Sequence, residues 1–215
     1  GLAVCKLPLH IHVQDIDLDS LTRAHERWME VVKPDSQHKV QLHQAMETVP
    51  KFLDLVIVAT TAGVRPQVVR GIAEHARVRY WILEKVLAQS EAALDEIAAC
   101  VHADAQSKAW VNTPRRMLPW HQAIKTKLNR GSPLSLTVSG GSWGLACNSV
   151  HYLDMLAWFS GETLQGVKTE QLDRQWIEAK RSGNWEVLGT IDAQFSGGSS
   201  ASLTVTSEDL SYCFR

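Results

Sequence analysis

At 215 residues the chain is long enough for one large domain or two small ones, and its 45% apolar and 21% charged residues are the balance of a globular protein with a buried core. A formal net charge of −1, with no basic block longer than Arg115-Arg116, argues against a nucleic-acid or anionic-membrane surface, since both need a basic excess. The four cysteines (Cys5, Cys100, Cys147, Cys213) are scattered with no CxxC pair, which fits free thiols in a reducing, cytoplasmic compartment better than a disulfide framework or a zinc site. No apolar run approaches the roughly 20 residues of a membrane span, and no signal-peptide pattern is visible.

Gly1 to Leu7 reads as the tail of a helix. Leu9 to Asp15 alternates apolar and polar residues and stops at an acid, as a strand does. Asp19 is the expected N-cap of a helix from Ser20 to about Val32, with Leu21, Ala24, Trp28 and Val31 on one face and Lys33-Pro34-Asp35 as its stop. Lys39 to His43 is a short strand. Asp54 to Ala59 is a continuous β-rich run, the pattern of a parallel strand buried on both faces. Pro66 sits near the start of a helix reaching about His75, and Val78 to Leu83 is the next strand. Ser90 caps a helix from Glu91 to about His102, and Lys108 to Val111 closes the series. Repeated β-α alternation means a parallel sheet covered by helices.

The second half has another texture. A helix is expected from about Arg115 to Leu128, stopped by Asn129-Arg130-Gly131-Ser132-Pro133. Leu134 to Ser139 alternates like a strand that Gly140-Gly141 breaks, and a helix carrying His151 runs to Ser160-Gly161. Gly166 to Leu172, Glu186 to Phe195 and Ser200 to Thr206 are strand-like, the last two joined through Ser196-Gly197-Gly198-Ser199 as a hairpin. The expected architecture is an α/β fold. A partial dinucleotide-binding, Rossmann-type parallel sheet over residues 1–112 precedes an α+β domain with a largely antiparallel sheet over 113–215.

Two elements carry the chemistry. Trp81-Ile82-Leu83-Glu84-Lys85 places an acid–base pair where an apolar strand ends, at the edge where ligands sit in open α/β sheets. Downstream, Asn148-Ser149-Val150-His151-Tyr152-Leu153-Asp154 puts His151 and Asp154 on one helix face. A lysine and a histidine acting on one hydroxyl suit proton transfer, because lysine can be desolvated into a useful range and histidine titrates near neutrality. Against this stand the plainer readings of a solvated Glu84–Lys85 pair and a satisfied helix histidine.

The order of Asp15 after an early strand, Asp54 to Thr60, Glu84-Lys85 and Gly144…His151-Tyr152-Leu153-Asp154 resembles the glucose–fructose oxidoreductase/inositol dehydrogenase (Gfo/Idh/MocA) family, from about Leu9 to Thr206. The resemblance implies an NAD(P)-dependent enzyme acting on a secondary hydroxyl of a sugar, sugar derivative or cyclitol. Lys85 and His151 would be its catalytic groups. It also implies a homo-oligomer formed through the C-terminal sheet. Departures are Val86 where the family shows Pro, Cys147 where many members carry Asp, and Arg65 where His is common. They leave open a non-catalytic protein of the same fold that senses NAD or a sugar.

No G-x-G-x-x-G follows any strand, so the turn that brings backbone N–H groups to a pyrophosphate is missing from these residues. Strand 1 of the doubly wound order lies between strands 2 and 4, and its loss leaves open edges in mid-sheet. The expectation is an excerpt of a longer chain, with the phosphate loop before Gly1; the alternative is a shorter sheet closed up differently. Of the cofactor-binding candidates, Asp15 would accept ribose hydroxyls and repel a 2′-phosphate, favouring NAD over NADP. Thr60, Thr61, Glu84 and Lys85 would line the rest. Arg115, Asn148 and His151 are the substrate-binding candidates, with Arg115 facing an anionic group or merely solvent. Trp120 and Trp143 are candidates to stack on a sugar. Among nine histidines there is no HExxH, and no metal is expected.

Overall fold

The computed structural model describes residues 2–128, 131–141, 143–179 and 183–207, and the backbone of 213–214. It divides into two compact units, Gly1–Val111 and Asn112–Arg215. The turn residues Asn129 and Arg130 and the terminal Tyr212 and Arg215 lie outside the described residues.

The first unit opens with a short 3-10 helix, Leu2–Val4, and continues β1 (His10–Gln14), α1 (Leu18–Val31), β2 (Lys39–His43), β3 (Phe52–Val58), α2 (Arg65–His75), β4 (Arg77–Leu83), α3 (Glu91–Val101) and β5 (Lys108–Val111). All pairings are parallel, in two separate ladders, β1-β2 and β3-β4-β5. β1 and β3 do not pair with each other, so the sheet has not closed across that position. Val58, Val69, Ile72, Val78, Trp81, Leu83, Ile97 and Val101 form the core. Full burial of such side chains is worth about 1.5–3 kcal/mol each. The Trp81 indole stays satisfied there by donating to Ser107 Oγ at 3.0 Å.

Two expectations need correction. α1 is capped by Asp17, not Asp19: its carboxylate accepts from Ser20 N at 3.1 Å and Ser20 Oγ at 2.7 Å, which starts the helix two residues earlier. Val31, at its far end, is exposed. β3 is parallel but not buried on both faces. Leu55 and Ile57 are 44% and 49% exposed, because β3 has β4 as its sole hydrogen-bonded neighbour among the described strands and that face is uncovered.

The second unit begins with a 3-10 turn, Pro114–Met117, followed by α4 (Pro119–Lys127), β6 (Ser135–Gly141), α5 (Leu145–Ser160), β7 (Leu164–Glu178), β8 (Trp185–Phe195), β9 (Ser200–Thr206) and β10 (Cys213–Phe214). The single helix expected from Arg115 to Leu128 is broken at Leu118, whose extended backbone is what a following proline imposes. The sheet order is β10-β6-β9-β8-β7, antiparallel except for β6 beside β9. Gly140-Gly141 does not break the strand but forms the last two residues of β6, with Gly140 beside Val205 and Gly141 beside Thr206 of β9. α5 presents Leu145, Tyr152, Met155 and Leu156 to Leu136, Val138, Ala193, Leu203 and Val205. The Ser196–Ser199 hairpin is held by Glu162, whose carboxylate accepts from Gly197 N, Ser199 N and Ser199 Oγ. The Ser199 hydroxyl, first among these, keeps that carboxyl below its ordinary pKa.

Candidate functional site

In the first unit the predicted cofactor residues follow the C-terminal ends of parallel strands. Asp15 leaves β1 with its N–H on His43 O at 3.2 Å, and its Oδ1 accepts from Asp17 N at 2.9 Å. Its second oxygen has no partner among the described residues. Thr60 comes two residues after β3; its Oγ1 is buried with no hydrogen-bond partner, and Thr61 beside it is exposed. Val58 lies opposite Leu83 in the ladder, and Glu84 N donates to Val58 O at 3.0 Å. The Thr60 loop and the Glu84-Lys85 turn therefore leave the sheet side by side. Lys85 N is held by Glu84 Oε1 at 3.1 Å, and the Lys85–Val86 peptide is cis.

Arg65 ties these two loops together. It is 1% exposed at the start of α2, and its guanidinium donates to the carbonyls of Thr60 and Val86 and, at 2.8 Å, of Leu87. Burial pushes its pKa below the ordinary arginine value, opposed by the charge of Glu84. The sequence flagged Arg65 as a departure from the family pattern and not as a structural hub. Its position was the available signal: Arg65, Val69 and Ile72 share a buried helical face, and a cation there must find acceptors. A cavity of about 350 Å³ beside Arg77, Asp104 and Ser107 lies at the opposite end of β4, away from the edge where ligands of such sheets bind.

In the second unit α5 carries Asn148, His151 and Asp154. Its N-terminus is capped from another element: the Glu186 carboxylate on β8 accepts from Ala146 N at 2.8 Å and Cys147 N at 3.2 Å. Gly144, at φ +79°, leaves room for it, since a Cβ there would stand 3.0 Å from Glu186 Oε1. His151 is half-buried. Asp154 takes both Arg116 Nε (3.0 Å) and an Arg116 Nη, so this arginine is a strut between the Pro114–Met117 turn and α5. Arg115 behaves differently, lying with Cζ 4.0 Å from the centre of the Tyr152 ring. Arg115 and Asn148 line a cavity of about 460 Å³ with Trp120, His121, Trp143 and Tyr152. The sequence pattern gives no mark to His121. It is 2% exposed, with Nδ1 2.6 Å from Arg115 O.

No protein-family model matches the sequence, and no curated protein sequence matches it. Solved structures do match. Myo-inositol dehydrogenase from Lactobacillus casei, in complex with NAD(H) and myo-inositol, superposes with a TM-score of 0.64 at 18% identity over 95% of this chain and 62% of that one. The transcriptional regulator Gal80p from Kluyveromyces lactis gives 0.66 at 17% identity over 91% and 57%. An oxidoreductase from Agrobacterium radiobacter, in complex with NAD+, L-tartaric acid and magnesium, gives 0.64 at 16% over 93% and 59%. The fold is that of the inositol dehydrogenases. The chain spans about three-fifths of the length of each of these structures.

In the first unit the histidines of β1 and β2 form a chain of their own. Thr48 Oγ1 gives its hydrogen to Ala45 O at 2.8 Å, so His43 Nδ1 donates to Thr48 at 2.7 Å. His43 Nε2 is then the acceptor for His12 Nδ1–H at 2.9 Å. Burial first, then His43 and His10, lower the His12 pKa. Among the described residues no group of three or more His, Cys, Asp or Glu side chains is arranged to hold a metal ion, and no helix is long and apolar enough to cross a membrane.

Proposed function

We propose that the protein is an NAD-dependent oxidoreductase that moves a hydride between nicotinamide and a secondary hydroxyl of a sugar, sugar derivative or cyclitol. The observation that carries this reading is the Glu84-Lys85 turn, set beside the Thr60 loop at the C-terminal edge of a parallel sheet and braced there by Arg65. Such an edge is where doubly wound sheets bind dinucleotides. The residues present fit that role in part. Thr60 Oγ1 is a buried polar atom in want of a partner, and Asp15 keeps one carboxylate oxygen for ribose hydroxyls. The pyrophosphate has no Gly-rich turn among these 215 residues.

When bound, the nicotinamide would supply the hydride acceptor or donor. His151 would take the substrate hydroxyl proton as general base, and Lys85 would hydrogen-bond the same oxygen and polarise it. Arg115 and Asn148 would orient the substrate, whose ring the walls of Trp120 and Trp143 would cover. Leu164, Val167, Trp176 and Trp185 leave an exposed apolar surface on β7 and β8, which supports assembly of copies through this sheet; light scattering would then report a mass above the monomer's.

A second reading has its own support. The first turn of α5 carries Cys147 and no acid, so the Asp that many members of the resembled family carry there is absent. A protein of this fold without turnover would sense NAD or a sugar. The two readings separate in one assay of NADH formation and consumption across a panel of sugars and cyclitols. Turnover with one of them, with NAD favoured over NADP by about tenfold or more from the Asp15 carboxylate (about 1.4 kcal/mol), supports the enzyme. Saturable NAD binding with no turnover across the panel supports the sensor.

A further inference from the structure

We infer that the cavity of the second unit binds a carbohydrate bearing an oxyanion, a carboxylate or a phosphate, gripped by Arg115. The inference deepens the oxidoreductase reading by naming its substrate class. Arg115 lies over Tyr152 with Cζ 4.0 Å from the ring centre. Stacking of this kind occupies the face of a guanidinium and leaves its N–H donors in the plane, where they match two oxygens of a carboxylate or phosphate. Among the described residues those donors have no acceptor. The nearest carboxylate along α5, Asp154, is committed to Arg116. No acidic side chain lines the cavity, so its positive charge is uncompensated.

The rest of the lining suits a sugar. Trp143 spends its indole N–H on Thr204 O at 3.0 Å and stands edge-on to Tyr152 with centroids 5.3 Å apart, so only its ring surface faces a ligand. Trp120 is 54% exposed at the mouth, its ring 3.5 Å from that of His121. Aromatic faces of this kind cover the C–H face of a pyranose. His121 gives its Nδ1 hydrogen to Arg115 O at 2.6 Å, so in the neutral ring the acceptor is Nε2, which has no partner among the described residues. The one histidine therefore steadies the Arg115 backbone and offers a lone pair to a substrate hydroxyl. About 460 Å³ accommodates a single hexose ring with its charged substituent.

The test is titration calorimetry, which reads binding without turnover. The protein is titrated with D-glucuronate, D-galacturonate, D-glucose 6-phosphate, and neutral D-glucose and D-galactose. At least one charged sugar should bind roughly tenfold or more tighter than its neutral counterpart, and Arg115→Gln should remove that preference. Arg115→Lys, which keeps the charge and loses the planar fork, should recover part of it and serves in place of Arg115→Gln if that variant melts early. A uronate preference assigns a carboxylate, and a preference for the phosphate ester assigns a phosphate. Equal affinity for charged and neutral sugars, no binding of any charged sugar at about 10 mM, or a preference that survives Arg115→Gln overturns the inference. Charged-sugar binding through Arg115 with no hydride transfer would leave this inference standing and defeat the oxidoreductase reading.

Discussion

A guanidinium that is 1% exposed persists only because three carbonyls receive it, and in Arg65 those carbonyls belong to the two loops that frame Lys85. Arg65→Leu removes the donors and strands the acceptors. It should cost about 3 kcal/mol or more and lower the melting point by roughly 10 °C or more, as measured by calorimetry. His12 supplies a pH test. Its folded pKa lies below the ordinary 6.5, chiefly through burial, so between those two values the unfolded chain binds more protons. Stability from this group is fully present above about pH 6.5 and is lost as pH falls through the folded pKa. His12→Gln should flatten the fall in denaturation midpoint between about pH 7 and pH 5; an unchanged slope would place the effect elsewhere. At this scale the sequence was legible where a residue's place follows from a strand end, as for Thr60 and Lys85. It was not legible for Arg65 and His121, whose roles depend on carbonyls brought near them by other elements.

At the scale of elements, apolar periodicity locates the main helices and strands, and it fails where local stereochemistry or a neighbouring strand overrides it. Pro119 sits inside an amphipathic run, and its ring forces Leu118 out of the helical region. Gly140-Gly141 reads as a break because glycine weakens a strand, yet the β9 ladder supplies the pairing that propensity lacks. The capping of α5 was hidden for a third reason: its acid, Glu186, arrives from β8, some forty residues downstream. Gly189 on β8 is the glycine whose absence of a side chain matters most. At φ +105°, a Cβ there would lie 2.3 Å from Gln171 O and 2.8 Å from Leu172 Cα, both backbone atoms of β7. Gly189→Ala should destabilise the second unit by about 2 kcal/mol or more in denaturant unfolding. Gly166→Ala on β7, where the Cβ would meet nothing within 4 Å, is the control and should cost far less.

For the whole molecule, the two halves follow different sheet logic, and each half explains part of the proposed chemistry. The first unit's parallel ladders gather Asp15, Thr60 and Glu84-Lys85 at strand ends; the second unit's mixed sheet backs the helix that carries Asn148 and His151. That alternation of periods was legible in the sequence, because buried parallel strands and half-exposed antiparallel ones leave different patterns. The exposure of β3 was not, since a continuous apolar run does not say which neighbours will cover it. The central claim is that Lys85 and His151 act on one substrate oxygen. It is tested most directly by a double-mutant cycle on kcat with the substrate found in the sugar and cyclitol panel. Lys85→Met and His151→Asn should each lower kcat by roughly 10²-fold or more at unchanged melting point, and the double variant should lose less than the product of the two. Full activity of His151→Asn with an unchanged melt, or losses that multiply as independent sites do, would contradict it.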